Sequence, residues 1–305
     1  MNDATPRPPW WRNGVPFYVI QIATVLALFF VDLTWEGVAV ALGSYVLRMF
    51  GITAGYHRYF AHRGFKTGRG FQFVLAFLGS ASAQKGVLWW SGHHVDHHRF
   101  SDTERDLHSP KQGFWWSHLG WMMVPEFEGT PKKQLDQFAA FPELVWLNHW
   151  WVVAPVAWCV ALLALGGWTW VFWGFFVSTL FLWHGTFTIN SLAHVWGRRR
   201  YATTDTSRNN FWLSLITLGE GWHNNHHHYP STANQGFFWW EVDMSYVALL
   251  GLERLGVVWD LRRPPGWVLE GRARRGAPIG SALVQPPAPA VATAPAAPLA
   301  LQESD

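Results

Sequence analysis

The run Gly37-Val-Ala-Val-Ala-Leu-Gly-Ser-Tyr-Val-Leu-Arg48-Met-Phe-Gly51-Ile-Thr-Ala-Gly55-Tyr-His57-Arg-Tyr-Phe-Ala-His62 decides the fold. From about Gly37 to Gly55 it is apolar and long enough to cross a bilayer. Two imidazoles follow as soon as the apolar stretch ends. Three more stretches share its character: about Pro16–Val31, Leu144–Leu165 and Trp168–Ile189. The first is short for a span, with Asp32 and the nearby Trp10, Trp11 and Trp35 suited to the interfaces. No small-residue cleavage site follows it, so it reads as an anchor rather than a cleaved signal. Arg48 is costly in lipid and is expected to face protein or to snorkel.

Composition supports the membrane reading. Charged residues are 14% of the chain, against about 25% in a soluble domain. Trp and Phe number 23 and 22. The short connections at Asp32–Glu36 and Gly166–Gly167 carry no Lys or Arg. Basic residues crowd the other side, in the segments 7–12, 58–69, 99–133, 198–200 and 254–275. The positive-inside rule then places both termini and all large loops in the cytoplasm. The expectation is a multi-pass protein of the inner (cytoplasmic) membrane. Its net charge of +3 suits anionic lipid. No basic run with interleaved stacking aromatics points to nucleic acid.

Three histidine clusters and a fourth element fall at or beyond the cytoplasmic ends of these spans. They read His57-Arg-Tyr-Phe-Ala-His62, His94-Val-Asp-His97-His98, Asn190-Ser-Leu-Ala-His194 and His223-Asn-Asn-His226-His227. Imidazole is the commonest protein ligand for iron, copper and zinc. Nine rings are too many for one ion, and two ions fit. On a helix, residues i, i+3 and i+4 share a face, so each H-x-x-H-H is expected to aim three nitrogens into one volume. His93 and His228 have similar spacing and stay open as alternatives. His149 and His184 lie in spans and read as hydrogen-bonded core residues. Asp96 should point to another face, whereas Asp102, Glu104, Asp106 and Glu220 read as partners for ring N–H groups.

Residues 1–13 form a polar, Pro-rich lead, 14–275 the membrane domain, and 276–305 an Ala- and Pro-rich tail expected to be disordered. Residues 70–90 are apolar but broken by Ser80, Ser82, Gln84 and Lys85. A fifth span there would put the second cluster across the membrane from the first, so an interfacial or buried helix is expected. Cys159, the one cysteine, cannot form an internal disulfide. The chain has no Cys-x-x-Cys and no G-x-G-x-x-G before a helix, so electrons must come from a separate donor.

The ordered motifs H-x-x-x-x-H, H-x-x-H-H, N-S-x-A-H and G-E-G-W-H-N-x-H-H resemble the membrane acyl-CoA (stearoyl-CoA) desaturases, with this chain a bacterial member. Gly51-Ile-Thr-Ala-Gly and Gly113-Phe-Trp-Trp-Ser-His-Leu-Gly-Trp carry the likeness further, over roughly residues 15–262. It implies an all-α integral membrane protein, with four transmembrane helices in two hairpins under a cytoplasmic helical cap holding a di-iron site. It also implies oxygen-dependent insertion of a cis double bond, at delta-9. By motif, the ligands are His57, His62, His94, His97, His98, His194, His223, His226 and His227, with Asn190 acting through a water. His108 and His118 lie nearby without ligating. Gln84, Trp90 and Thr186 match residues that bend the acyl chain. An Arg and an Asp of the family's head-group region are replaced here by Gly92 and His93, which leaves CoA, acyl carrier protein and phospholipid open as acyl carrier.

The implied chemistry suits the residues. A saturated methylene has no acidic proton, so its hydrogen requires an oxidant made from dioxygen at two irons. Ferredoxin, rubredoxin or a cytochrome b5 would supply electrons. A histidine-rich hydroxylase or alkane-type monooxygenase is the nearest alternative. A membrane metal transporter would hold its ligands near the bilayer midplane, unlike these.

Overall fold

Two helices are long and apolar enough to cross a membrane, Trp35–Ala61 and Val153–Val195, and Val15–Ala27 is a shorter apolar helix. The computed structural model describes residues 10–131 and 136–271. The expected tail at 276–305 and residues 1–9 of the lead lie outside them, and Trp10–Asn13 form one helical turn.

The Trp35–Ala61 helix begins where the Thr34 hydroxyl accepts the Gly37 N–H at 3.0 Å, with Glu36 in the first turn facing the positive end of the helix dipole. It runs as α-helix over Trp35–Phe50 and then widens to a π-helix over Gly51–Ala61. The helix Arg69–Ala81 lies against this widened segment. Contact there is backbone to backbone. A Cβ on Gly51 would sit 2.4 Å from the Gly79 nitrogen, so only glycine fits. Arg69–Ala81 buries Gln72, Leu75, Ala76, Gly79, Ser80 and Ala81 against protein.

The Val153–Val195 helix is 43 residues long but not straight. Gly166 (φ −149°, ψ 18°) and Gly167 (φ 67°, ψ −160°) leave helical geometry, and the second is open only to glycine. The chain there forms two arms, 153–165 and 168–195. The stretch expected to start a span at Leu144 is itself divided: Pro142–His149 is a separate short helix, and the long one starts at Val153. Pro155 explains the break. It has no N–H for the Trp151 carbonyl, and its ring would clash with that carbonyl in a continuous helix.

Arg48 takes the protein-facing course. It is fully buried and donates to Thr179 Oγ1 at 2.7 Å, the Ala81 carbonyl at 3.2 Å, the Ser44 and Gly174 carbonyls at 3.3 Å, and Ser178 Oγ. Every donor is met by a neutral acceptor, which offsets its desolvation.

Beyond these helices lies a helical cap that includes Val87–Phe100, Phe211–Ile216, His223–His228 and Met244–Arg254. Its one sheet among the described residues is a two-residue antiparallel ladder, Lys66–Thr67 with Val258–Trp259. A core of Tyr56, Phe60, Leu75, Leu144, Leu147 and Leu249 joins the π-helix to the cap. The fold is all-α in character.

Candidate metal centre

The nine expected histidines gather in two groups. The ligand nitrogens of His57, His62, His94, His98 and His226 lie within 4.8 Å of one another, and so do those of His97, His194, His223 and His227. The π-helix explains the first pair. In an α-helix, positions five apart point in different directions. With one more residue per turn, His62 N–H bonds the His57 carbonyl at 3.1 Å and the two rings stand 4.8 Å apart.

The two H-x-x-H-H triplets do not each aim into one volume, as the spacing suggested. On Val87–Phe100, His94 and His98 serve the first group and His97 the second. On His223–His228, His223 and His227 serve the second group and His226 the first. Residues i and i+4 diverge by about 40° around a helix, whereas i+3 and i+4 diverge by about 100°. Each helix therefore lies between the groups and feeds both.

Four of the rings have the second nitrogen fixed by a carboxylate. His97 Nδ1 donates to Asp106 at 2.9 Å, His194 Nδ1 to Asp102 at 3.3 Å and His227 Nδ1 to Asp205 at 2.8 Å; His57 Nδ1 pairs with Glu220. This sets the tautomer and turns each Nε2 lone pair inward. The inward nitrogens crowd one another. Nε2–Nε2 separations are 2.9 Å (His62–His94), 3.0 Å (His94–His98), 2.8 Å (His98–His226), 3.0 Å (His57–His226) and 3.1 Å (His194–His223). His97 Nε2 and His227 Nε2 are buried without any hydrogen-bond partner. Ligands at roughly 2.1 Å from a metal and at right angles stand about 3 Å apart, so each group suits one cation.

Protonation favours the same use. Burial first, and then the charge of neighbouring rings, pushes His62, His94, His98, His223 and His226 well below the ordinary imidazole value. These rings stay neutral and keep a lone pair to give. Burial opposes ionisation of Asp102, Asp106 and Asp205. Bonds and charge from His194, His97 and His227 outweigh it and hold all three well below the usual carboxylate range.

The open positions fall elsewhere. His93 Nε2 faces the Phe127 and Gly129 carbonyls at 3.1 and 3.2 Å, and His228 stacks on Tyr201. His108 stacks on His97 at 4.1 Å and adjoins Asp106 without joining either main group. His118 bonds Ser191 Oγ and His184, and His184 reaches Gln21. His149 meets the Trp150 ring edge to face. Of the acids expected beside the rings, Asp102, Asp106 and Glu220 are there, but Glu104 is exposed. Asp205 was not foreseen: its loop, Thr203-Thr-Asp-Thr-Ser, shows only that Thr and Ser stand ready to hold a carboxylate. Also unforeseen is buried Arg58, which clamps Glu220 and Asp243.

Asn190 lines a narrow cavity with His57, His94, His97, His223 and Glu220, between the two groups. It also lines a larger apolar cavity of about 530 Å³ that reaches His94. Gln84, Trp90 and Thr186 all border this larger space. The Gln84 amide donates to Thr186 Oγ1 at 3.1 Å, and Trp90 stacks on His94 at 5.1 Å. An apolar cavity that reaches a histidine cluster able to hold a metal suits oxidation of a hydrocarbon chain.

Residues 33–246 match the family model described as fatty acid desaturase. This chain belongs to the fatty acid desaturase family. Among curated desaturases it is 38% identical to the sn-1 stearoyl-lipid 9-desaturase of Synechocystis, over 89% of this chain and 86% of that one. It is 36% identical to the sn-2 palmitoyl-lipid 9-desaturase of Nostoc, over 81% and 88%. It is also 36% identical to the sn-1 stearoyl-lipid 9-desaturase of Anabaena variabilis, over 86% and 98%. As a fatty acyl desaturase, the chain is an oxidoreductase of lipid metabolism.

Proposed function

We propose that this desaturase places a cis double bond at delta-9 of a saturated acyl chain esterified to a membrane lipid. The carrying observation is that one apolar cavity reaches His94 of the first histidine group, beside a narrow cavity lined by rings of both groups. The names of the relatives, each a lipid 9-desaturase, support the lipid ester and the bond position. Free CoA and acyl-carrier esters become the tested alternatives.

His57, His62, His94, His98 and His226 would hold one iron. His97, His194, His223 and His227 would hold the other, with Asn190 placed to act through a water. Two irons, when bound, supply the oxidising power of dioxygen. In balance, the saturated chain, one dioxygen, two electrons and two protons give the alkene and two waters. The chain's own residues do the rest. Asp102, Asp106, Asp205 and Glu220 hold His194, His97, His227 and His57 in one tautomer. Trp90, backed by His94, and the Gln84–Thr186 bond shape the turn that selects which carbon pair stands nearest. Buried walls exclude water, which protects an oxidant from wasteful reduction.

Four spanning segments accommodate this arrangement: Val15–Ala27, Trp35–Ala61 and the two arms on either side of Gly166–Gly167. The histidine-bearing ends of Trp35–Ala61 and of the 168–195 arm would face the cytoplasm. A separate ferredoxin, rubredoxin or cytochrome b5 would bring electrons to the basic loops around 99–133 and 198–208. Expression in a desaturase-deficient host with mass spectrometry of its fatty acids tests this. Delta-9 monoenes are expected with the unaltered chain, and none with His98→Ala or His227→Ala. Hydroxy acids in place of monoenes would refute it.

A further inference from the structure

The two ends of the large cavity differ. Near the histidines its walls are closed: Trp89, Trp121 and His108 are 6%, 7% and 4% exposed. At the other end, residues that line the cavity also stand on the outer surface. Val156 is 55% exposed, Val160 59% and Ile20 47%. A side chain that both borders an interior space and is half open to the outside marks the edge of the wall. Val152, Val156 and Val160 recur every fourth position and make one stripe at the start of the 153–165 arm. Phe17 and Ile20 make the facing stripe on Val15–Ala27, beside Gln21, which is bonded to His184, and Thr24, whose hydroxyl is turned back to the Ile20 carbonyl at 2.8 Å. That helix takes its support from Phe172–Val177. The edge of the cavity is therefore a cleft between two largely apolar stripes, both in segments suited to the bilayer.

We propose that this cleft is a lateral door, through which the acyl chain of a bilayer glycerolipid enters while still esterified. The proposal rests on the acyl-lipid reading above. A chain already in the bilayer is already out of water, so passage between two largely apolar stripes exposes no apolar surface and strips no polar group of solvent. A carrier ester arriving from water gains nothing from an opening on this side. The rim also carries Cys159, the chain's one cysteine, partly exposed and lining the same cavity. It offers a handle for blocking the door in the unaltered protein.

The test uses an extract of a host in which the enzyme is active, so that its electron donor is present. The substrates are vesicles of stearoyl-containing phosphatidylglycerol and, separately, stearoyl-CoA. Val156→Trp and Val160→Trp should lower conversion of the vesicle lipid by about tenfold or more, since small displacements of a reacting chain are costly. Metal content should not change. Leu165→Trp, 73% exposed on the same arm but away from the cavity, should stay within about twofold of the unaltered enzyme. Alkylating the unaltered enzyme with a bulky lipophilic maleimide should produce the same loss. Cys159→Ala, compared before and after the reagent, should show none. If the tryptophan variants do not fold, the alkylation arm decides alone. Undiminished lipid conversion in both variants and after alkylation overturns the door and leaves the acyl-lipid reading standing. Conversion of stearoyl-CoA alone by the unaltered enzyme overturns both.

Discussion

Replacing Asp205 by asparagine tests how the second histidine group is held. Asp205 Oδ2 accepts the His227 Nδ1 proton at 2.8 Å, while Oδ1 accepts the Ser207 N–H and the Thr203 hydroxyl, each at 2.9 Å. Asparagine keeps the shape but has one acceptor oxygen. Ser207 N–H and Thr203 would hold that oxygen, leaving the amide NH2 against His227. Two N–H groups then face each other, and the ring is driven to the other tautomer, with its proton on Nε2. That nitrogen is the one aimed, buried and unpartnered, into the group. Loss of such a carboxylate costs about 10–100-fold in metal affinity, or about 1.4–2.7 kcal/mol. The forced tautomer places this variant at the upper end. The assay is competition with a graded chelator, read by metal analysis of the recovered protein, beside the rate of monoene formation. Glu104→Gln is the control, because Glu104 is exposed and touches no ring. Equal metal retention by Asp205→Asn and Glu104→Gln would refute the reasoning.

Three further outcomes follow from other parts of the molecule. Trp90→Ala removes the ring stacked on His94; a shift of about 1 Å in the chain would cost on the order of a hundredfold in rate. The residual product should scatter around delta-9, and single-site product at full rate would exclude Trp90 from the bend. Metal-free protein should lose stability as pH falls below 6.5. His62, His94, His98, His223 and His226 have folded values depressed below that, so the unfolded chain binds more protons there. Each ring adds a slope of up to about 1.4 kcal/mol per pH unit, against which raised His97 acts alone. A flat thermal midpoint between pH 7 and pH 5 would contradict this. Finally, under donor-limited conditions the rate with an acidic ferredoxin should fall with ionic strength, as expected for docking on the basic loops. A salt-independent rate would point to another surface.

The nine histidines that gather in two groups were legible in the sequence. Four motifs gave nine histidines, and hydropathy placed them at the ends of apolar segments. Each signal is local, carried by residue type and short spacing, and survives without knowledge of how segments pack. Arg48 was legible only as a choice between burial and snorkelling. Its neutral partners, Thr179 and Ser178, lie on a segment more than a hundred residues away.

Tertiary structure decided how these histidines are divided. Spacing alone gave each H-x-x-H-H one target, but a helix wedged between two groups sends i and i+4 to one and the remaining ring to the other. His57 and His62 share a face only because the helix that holds them is wound as a π-helix, and no residue spacing announces that winding. Asp205 and Asp102 reach their histidines from loops, and the separations, 22 residues to His227 and 92 to His194, carry no period. The open edge of the large cavity is the same kind of fact. Val156 and Ile20 look like any lipid-facing residues along the chain, and only the distance left between their helices makes them a rim.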